Sequence, residues 1–189
     1  MNTTIIVSNP SKDSFSKKIL ESVKNGLDRK NKSYNIIDLY EDNFNPIMTQ
    51  KQLELYSSGQ TDDDLVKEYQ SNLKESDEII LIFPIWYNNV PAMLKGFFDK
   101  VFVKEFAFTE EYKRPKGLLT NIKSGILITT SESDTEYIKN ELNDPITNTI
   151  INGTLKVVGM NNIKWINNNL ASSNDNKKQQ FLDEINKYF

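Results

Sequence analysis

The chain has 189 residues, 7 Gly, 6 Pro, no Cys and no His, and its 23 basic against 26 acidic side chains leave a net charge of −3. That length holds one domain with a full core, and 38% apolar residues with ten Phe and eight Tyr argue against disorder. Without Cys or His there is no disulfide framework, thiolate nucleophile, Ser-His-Asp triad or imidazole metal ligand, so any redox chemistry falls to a bound cofactor.

Residues 3–8 (TTIIVS) form a β-branched run that ends in Asn9-Pro10-Ser11. Phe15, Ile19, Leu20, Val23 and Leu27 follow on one face at helical spacing, which reads as strand, turn and helix. A second strand at 33–39 completes a βαβ unit, whose crossover is right-handed. Residues 40–61 read as irregular and 62–74 as helical. Residues 78–83 (EIILIF) are almost wholly apolar, as a central parallel strand covered on both faces requires. Pro91 opens a helix at its first position, with an apolar face of Leu94, Phe97, Phe98, Val101 and Phe102 wider than one sheet covers, so that part of it meets a partner.

Residues 124–129 (SGILIT) are another buried strand. Asp144-Pro145 caps a segment running to Val158 that Gly159 ends, with 154–158 alternatively a strand. Residues 162–167 read as the last strand and 174–189 as the closing helix. This alternation predicts one α/β domain over 1–189, a doubly wound parallel sheet of five strands with helices on both faces. The opening residues are too short and polar for a signal peptide, and no apolar run nears the ~18 residues of a membrane span. A cytoplasmic protein is expected, and the slightly acidic balance excludes nucleic acid as its main partner.

In such a sheet, ligands bind beyond the carboxyl ends of the strands. After the first strand, residues 9–16 (NPSKDSFS) lead into a helix N-terminus whose free N–H groups and hydroxyls suit a phosphate; a plain N-cap by Ser11, Asp13 or Ser14 is the alternative. No GxGxxG and no GxxxxGK[ST] occurs. After the third strand, Pro84-Ile85-Trp86-Tyr87-Asn88-Asn89-Val90-Pro91 sets two aromatics and two amides between prolines. A flat heteroaromatic ligand could stack there, unless Trp86 and Tyr87 pack under a neighbouring loop or at a dimer contact. After the fourth, residues 129–134 (TTSESD) supply a polar wall or an ordinary solvated turn.

The stretch from Pro84 through Trp86-Tyr87-Asn88-Asn89-Val90-Pro91 to Leu94-Lys95-Gly96-Phe97-Phe98-Asp99 and Phe102 resembles the flavin loop and dimer helix of the flavodoxin-like NAD(P)H:quinone oxidoreductases. Asn9-Pro10, Ser14-Phe15-Ser16, Asp38-Leu39-Tyr40, Phe106-Ala107-Phe108, Gly117-Leu118-Leu119, Thr129-Thr130 and Gly159-Met160 match in the same order, so the resemblance covers nearly the whole chain. It implies a noncovalent flavin, FMN before FAD, with NADH or NADPH as donor and a quinone-like acceptor. Asn9, Ser14, Phe15 and Ser16 would lie at its phosphate, Pro84, Ile85, Trp86, Tyr87 and Asn88 along its ring system, and Thr129, Thr130, Ser131 and Glu132 at its pyrimidine edge. Tyr137 matches the tyrosine that donates a hydrogen bond near the flavin and is the candidate catalytic residue. Phe106 and Phe108 would close the substrate pocket of a partner subunit in a homodimer.

This sequence departs from the family pattern at four places. Asn9 stands where the family commonly has His, Ser16 where it has Asn, Ser131 and Glu132 where it has paired glycines, and Asn143 where a catalytic His falls. No proton relay through His can operate. Glu132 must either turn to solvent or lay its charge against the ring. These departures favour the alternative function, a non-enzymatic flavodoxin-like regulatory or ancillary subunit of a cation-efflux system.

Overall fold

The computed structural model describes residues 2–189. Its strands and helices are β1 (Asn2–Val7), α1 (Phe15–Arg29), β2 (Ser33–Asp38), α2 (Gln50–Leu55), α3 (Asp64–Lys74), β3 (Glu78–Pro84), α4 (Ala92–Val101), β4 (Phe108–Glu111), β5 (Arg114–Gly117), β6 (Ser124–Ser131), α5 (Thr135–Asn140), a π-helix (Ile146–Leu155), β7 (Ile163–Asn169) and α6 (Asp175–Tyr188). Five strands form one parallel sheet in the order β2-β1-β3-β6-β7, and β4 and β5 form a separate antiparallel hairpin. The doubly wound sheet read from the sequence is therefore present, with its order reversing between β1 and β3, where such folds bind ligands.

Side-chain alternation divides the core in two. Ile5, Val7, Ile80, Ile82, Ile126 and Ile128 face α1 and α6, whereas Ile6, Ile79, Leu81, Phe83 and Leu127 face α3, α4 and the π-helix. All of β3 is buried, which is why its sequence shows no polar alternation. Gly26 of α1 lies against the Asn186 carbonyl and Phe189, so α1 and α6 approach closely at that point. Among the described residues no helix is long and apolar enough to cross a membrane.

Three expectations change. Residues 40–61 contain α2, whose Thr49 hydroxyl accepts from Gln52 N while the Gln52 side chain accepts from Thr49 N, a capping box on a helix with no buried residue. Pro91 is the N-cap of α4 rather than its first helical residue. The five apolar residues of the α4 segment are all buried within the chain, none more than 5% exposed. The cover that looked missing comes from Phe44, Tyr69 and the segment after the helix. Buried Lys100 ties this cover down, donating to the Asn45 carbonyl at 2.8 Å and to Asp63 Oδ2 at 2.7 Å, with its ammonium 5.0 Å from the Phe44 ring centre. Tyr69 donates to Asp42 at 2.8 Å, and burial with that bond pushes its phenol well above the ordinary range, so it stays a neutral donor. The strand alternative for 154–158 is not formed, since the π-helix runs through Leu155 and residues 156–158 continue as turn, and Gly159, at φ 102°, ends the segment as expected.

Candidate functional site

Three loops meet at the carboxyl edge of the sheet, following β1, β3 and β6, because parallel pairing sets Val7 beside Ile82 and Pro84 beside Thr130. After β1, the Asn9 amide shapes the turn, its Oδ1 accepting from Ser11 N at 3.0 Å and its Nδ2 donating to Ser16 Oγ at 3.2 Å. Ser14 is the N-cap of α1 and accepts from Lys17 N at 3.3 Å. The N-cap reading of this segment holds for Ser14, while Ser16 is buried and accepts from Asn9. Lys17, ion-paired with Asp38, adds a cation beside the same helix end, where the first N–H groups have no intrahelical acceptor. Phe15 packs on Phe181, with ring centres 6.1 Å apart. Nearby, at the end of β1, the buried Ser8 Oγ has no partner among the described residues.

The loop after β3 is a tight reversal. Trp86 and Asn89 exchange two backbone hydrogen bonds of 3.0 Å, with Tyr87 (φ 48°) and Asn88 (φ 61°) in the left-handed region between them. Asn tolerates that region, but a tyrosine there carries strain of order 1–3 kcal/mol. The consequence is display: Tyr87 is fully exposed and Trp86 is 44% exposed, so neither ring packs under a neighbouring loop. With Val90, Pro91 and Lys95 they bound an open depression of about 500 Å³. Pro84 closes β3, and Ile85 N donates to the Thr130 carbonyl at 2.8 Å, which joins this loop to the end of β6.

The loop after β6 is arranged differently from expectation at two residues. Thr129 and Ser131 are buried, and their hydroxyls bond Asn167 and Trp165 of β7, so these side chains serve the sheet rather than a ligand. Thr130 is buried on the opposite face. Glu132 is exposed. Tyr137 lies in the first turn of α5, capped by Asp134, with its phenol about half exposed.

The two pocket-closing aromatics part company. Phe106 is only 8% exposed and sits in the core beneath the Lys74 ammonium, 5.4 Å away, so it presents no free face to a substrate. Phe108 is half-buried at the base of the hairpin, where it lines a groove with Phe98, Phe102 and Val157. What the sequence reading missed is the left-handed turn, for which Asn88 was the available signal, and the β7 side chains Trp165 and Asn167, which carried none.

The comparisons with known proteins agree with this fold. A family described as having a flavodoxin-like fold, Flavodoxin_2, matches residues 1–189. An uncharacterised NAD(P)H oxidoreductase of Haemophilus influenzae is 30% identical over 166 residues, which is 87% of this chain and 82% of the relative. NAD(P)H dehydrogenase (quinone) 1 of Cavia porcellus is 31% identical over 150 residues, 70% of this chain, and the match spans 54% of that longer protein. Among solved structures, NAD(P)H:quinone oxidoreductase from Methanothermobacter marburgensis superposes with a TM-score of 0.89 at 23% identity over 99% of this chain and 96% of that one, a likeness of fold. With agreement running the length of the sequence, the chain belongs to the NAD(P)H:quinone oxidoreductase family with a flavodoxin-like fold.

Proposed function

We propose that residues 1–189 form one flavin-binding domain of a cytoplasmic, homodimeric reductase that passes two electrons from NADH or NADPH to a quinone-like or other flat acceptor. FMN is the cofactor, with FAD the alternative. The observation that carries this reading is the strained Tyr87–Asn88 turn, which holds two aromatic rings out of the core at the switch point of the sheet. The donor set fits a flavin mononucleotide: hydroxyls and helix N–H groups for a phosphate, ring faces for a flat heterocycle, and the loop after β6 for its polar edge. Relatives named as NAD(P)H oxidoreductases and quinone dehydrogenases support the enzyme over the efflux-subunit reading.

A bound flavin would accept hydride from the nicotinamide and return two electrons to the acceptor, the two substrates using one site in turn. This chain's residues bind and orient. Ser14, Phe15 and Ser16 hold the phosphate end against the start of α1, Trp86 and Tyr87 cover a ring face and exclude water from it, and Tyr137 offers a phenolic proton at the rim. Releasing the cofactor of the purified protein by heat and identifying it tests the reading. A colourless preparation that binds neither added FMN nor FAD overturns it.

Two further expectations belong here. The chain should sediment as a two-fold dimer at micromolar concentration. Phe108 lines a groove with Lys95, Phe98 and Asp99 of α4, which leaves an apolar surface open beside that helix. A second copy related by a two-fold axis would set the same patch of both chains against each other and cover it. Exposed Ile47 (70%) and Leu53 (62%) extend the apolar surface beside that helix. A monomer at that concentration contradicts the pairing. Glu132→Gln should leave the flavin midpoint potential nearly unchanged, since the charge of an exposed carboxylate is screened. A rise of tens of millivolts, where ~30 mV equals ~1.4 kcal/mol for two electrons, would place the charge against the ring instead.

A further inference from the structure

The side chains beneath the loop that follows β6 form a directed chain of hydrogen bonds, and its direction follows from which groups can only donate. An indole Nε1–H is such a group, and that of Trp165 donates to Thr129 Oγ1 at 2.8 Å. Thr129 therefore turns its own proton to its other neighbour, Asn167 Oδ1, at 2.7 Å. That identifies the carbonyl end of the Asn167 amide, so Nδ2 carries the protons that reach Ser131 Oγ at 2.8 Å and Thr135 Oγ1 at 3.1 Å. Ser131, having accepted, donates to the Ser133 carbonyl at 2.5 Å. One indole on β7 thus sets the polarity of every link out to the loop backbone.

In a trans peptide the C=O of one residue and the N–H of the next point in opposite directions. The Ser131 carbonyl accepts from Leu170 N at 2.7 Å, and the Ser133 carbonyl accepts from the Ser131 hydroxyl. Both carbonyls are thereby held on the protein side. The N–H groups of Glu132 and Asp134 point the other way, and neither has a protein acceptor among the described residues.

We propose that Asn167 is a positioning residue of the flavin site, holding the 131–135 loop so that these two N–H groups meet the polar edge of the flavin, where charge accumulates on reduction. The proposal rests on the flavin reading above. It also accounts for a sequence that lacks paired glycines in this loop: side-chain anchoring from β7 holds backbone donors in place where Ser131 and Glu132 stand.

Asn167→Leu keeps the branched shape and adds no charge while removing the acceptor and both donors. Ser131→Ala cuts the chain at its loop end and leaves Asn167 bonded to Thr129 and Thr135. The test is the FMN dissociation constant of the apoprotein, in oxidised and reduced forms, together with the midpoint potential and the melting temperature of each variant. The expected result is that reduced FMN loses about tenfold more affinity than oxidised FMN in both variants, which lowers the potential by ~30 mV. Wild-type potential in folded variants overturns the positioning role and leaves the flavin reading standing. If Asn167→Leu does not fold, Ser131→Ala decides by the same criterion. Wild-type protein that binds no FMN overturns the flavin reading, and the positioning role with it.

Discussion

Gly96→Ala should destabilise the protein by about 2–3 kcal/mol, although it exchanges a helix-breaking residue for the best helix former. In a free helix interior the change would gain up to ~1 kcal/mol. Here a Cβ at position 96 would lie 2.6 Å from Pro46 Cα and closer still to the Pro46 Cβ and carbonyl oxygen. The neighbour is backbone, and it cannot retreat, because the preceding Asn45 carbonyl is bonded to Lys100, which is itself paired with Asp63. Overpacking a fixed contact typically costs 1–3 kcal/mol and occasionally more, so the clash outweighs the propensity gain. A fall in melting temperature of about 5–10 °C follows for a chain of this length. A melting temperature at or above that of the wild type would show that Pro46 moves freely.

Trp86→Ala and Tyr87→Ala should each weaken FMN binding to the apoprotein by about 1–3 kcal/mol, or roughly five- to 160-fold, if the rings act as stacking platforms. Folding stability should barely change, because both side chains already face outward. Tyr87→Gly separates ring from backbone. It removes the same stacking surface as Tyr87→Ala, but glycine adopts the left-handed φ of 48° without strain and should leave the protein more stable by about 1 kcal/mol. Fluorescence titration with FMN and thermal melts read both quantities. Unchanged affinity in both alanine variants would make the rings merely structural.

The sheet was legible in the sequence because its strands are continuous apolar runs and α1 has a clean apolar face, two patterns that depend only on local spacing. Residues 40–61 were not, since α2 buries nothing and therefore carries no hydrophobic period; Thr49 and Gln52 were its only signal. The apparent apolar excess on the α4 segment arose from counting one helix against one sheet, when Phe44 and Tyr69 arrive from elsewhere in the chain. At the candidate site, residue types after β1 and β3 pointed to the loops that converge. The direction of Thr129 and Ser131 was hidden, because it is decided by Trp165 and Asn167 on the neighbouring strand. Phe106 and Phe108 look equivalent two residues apart, yet one is held in the core and the other lines a groove.

The strand order also bears on how the chain is made. β1 lies between β2 and β3, so its first partner is complete at Asp38 while its second is finished only at Pro84. During synthesis at ~5–20 residues per second, the β1–α1–β2 unit therefore waits a few seconds with the apolar edge of Thr3–Val7 unpaired. An open edge of that kind is a template for other strands. The nascent β1–α1–β2 unit is thus one stage at which this protein is exposed to aggregation, and slower translation between β2 and β3 would lengthen that exposure without altering any contact in the finished fold.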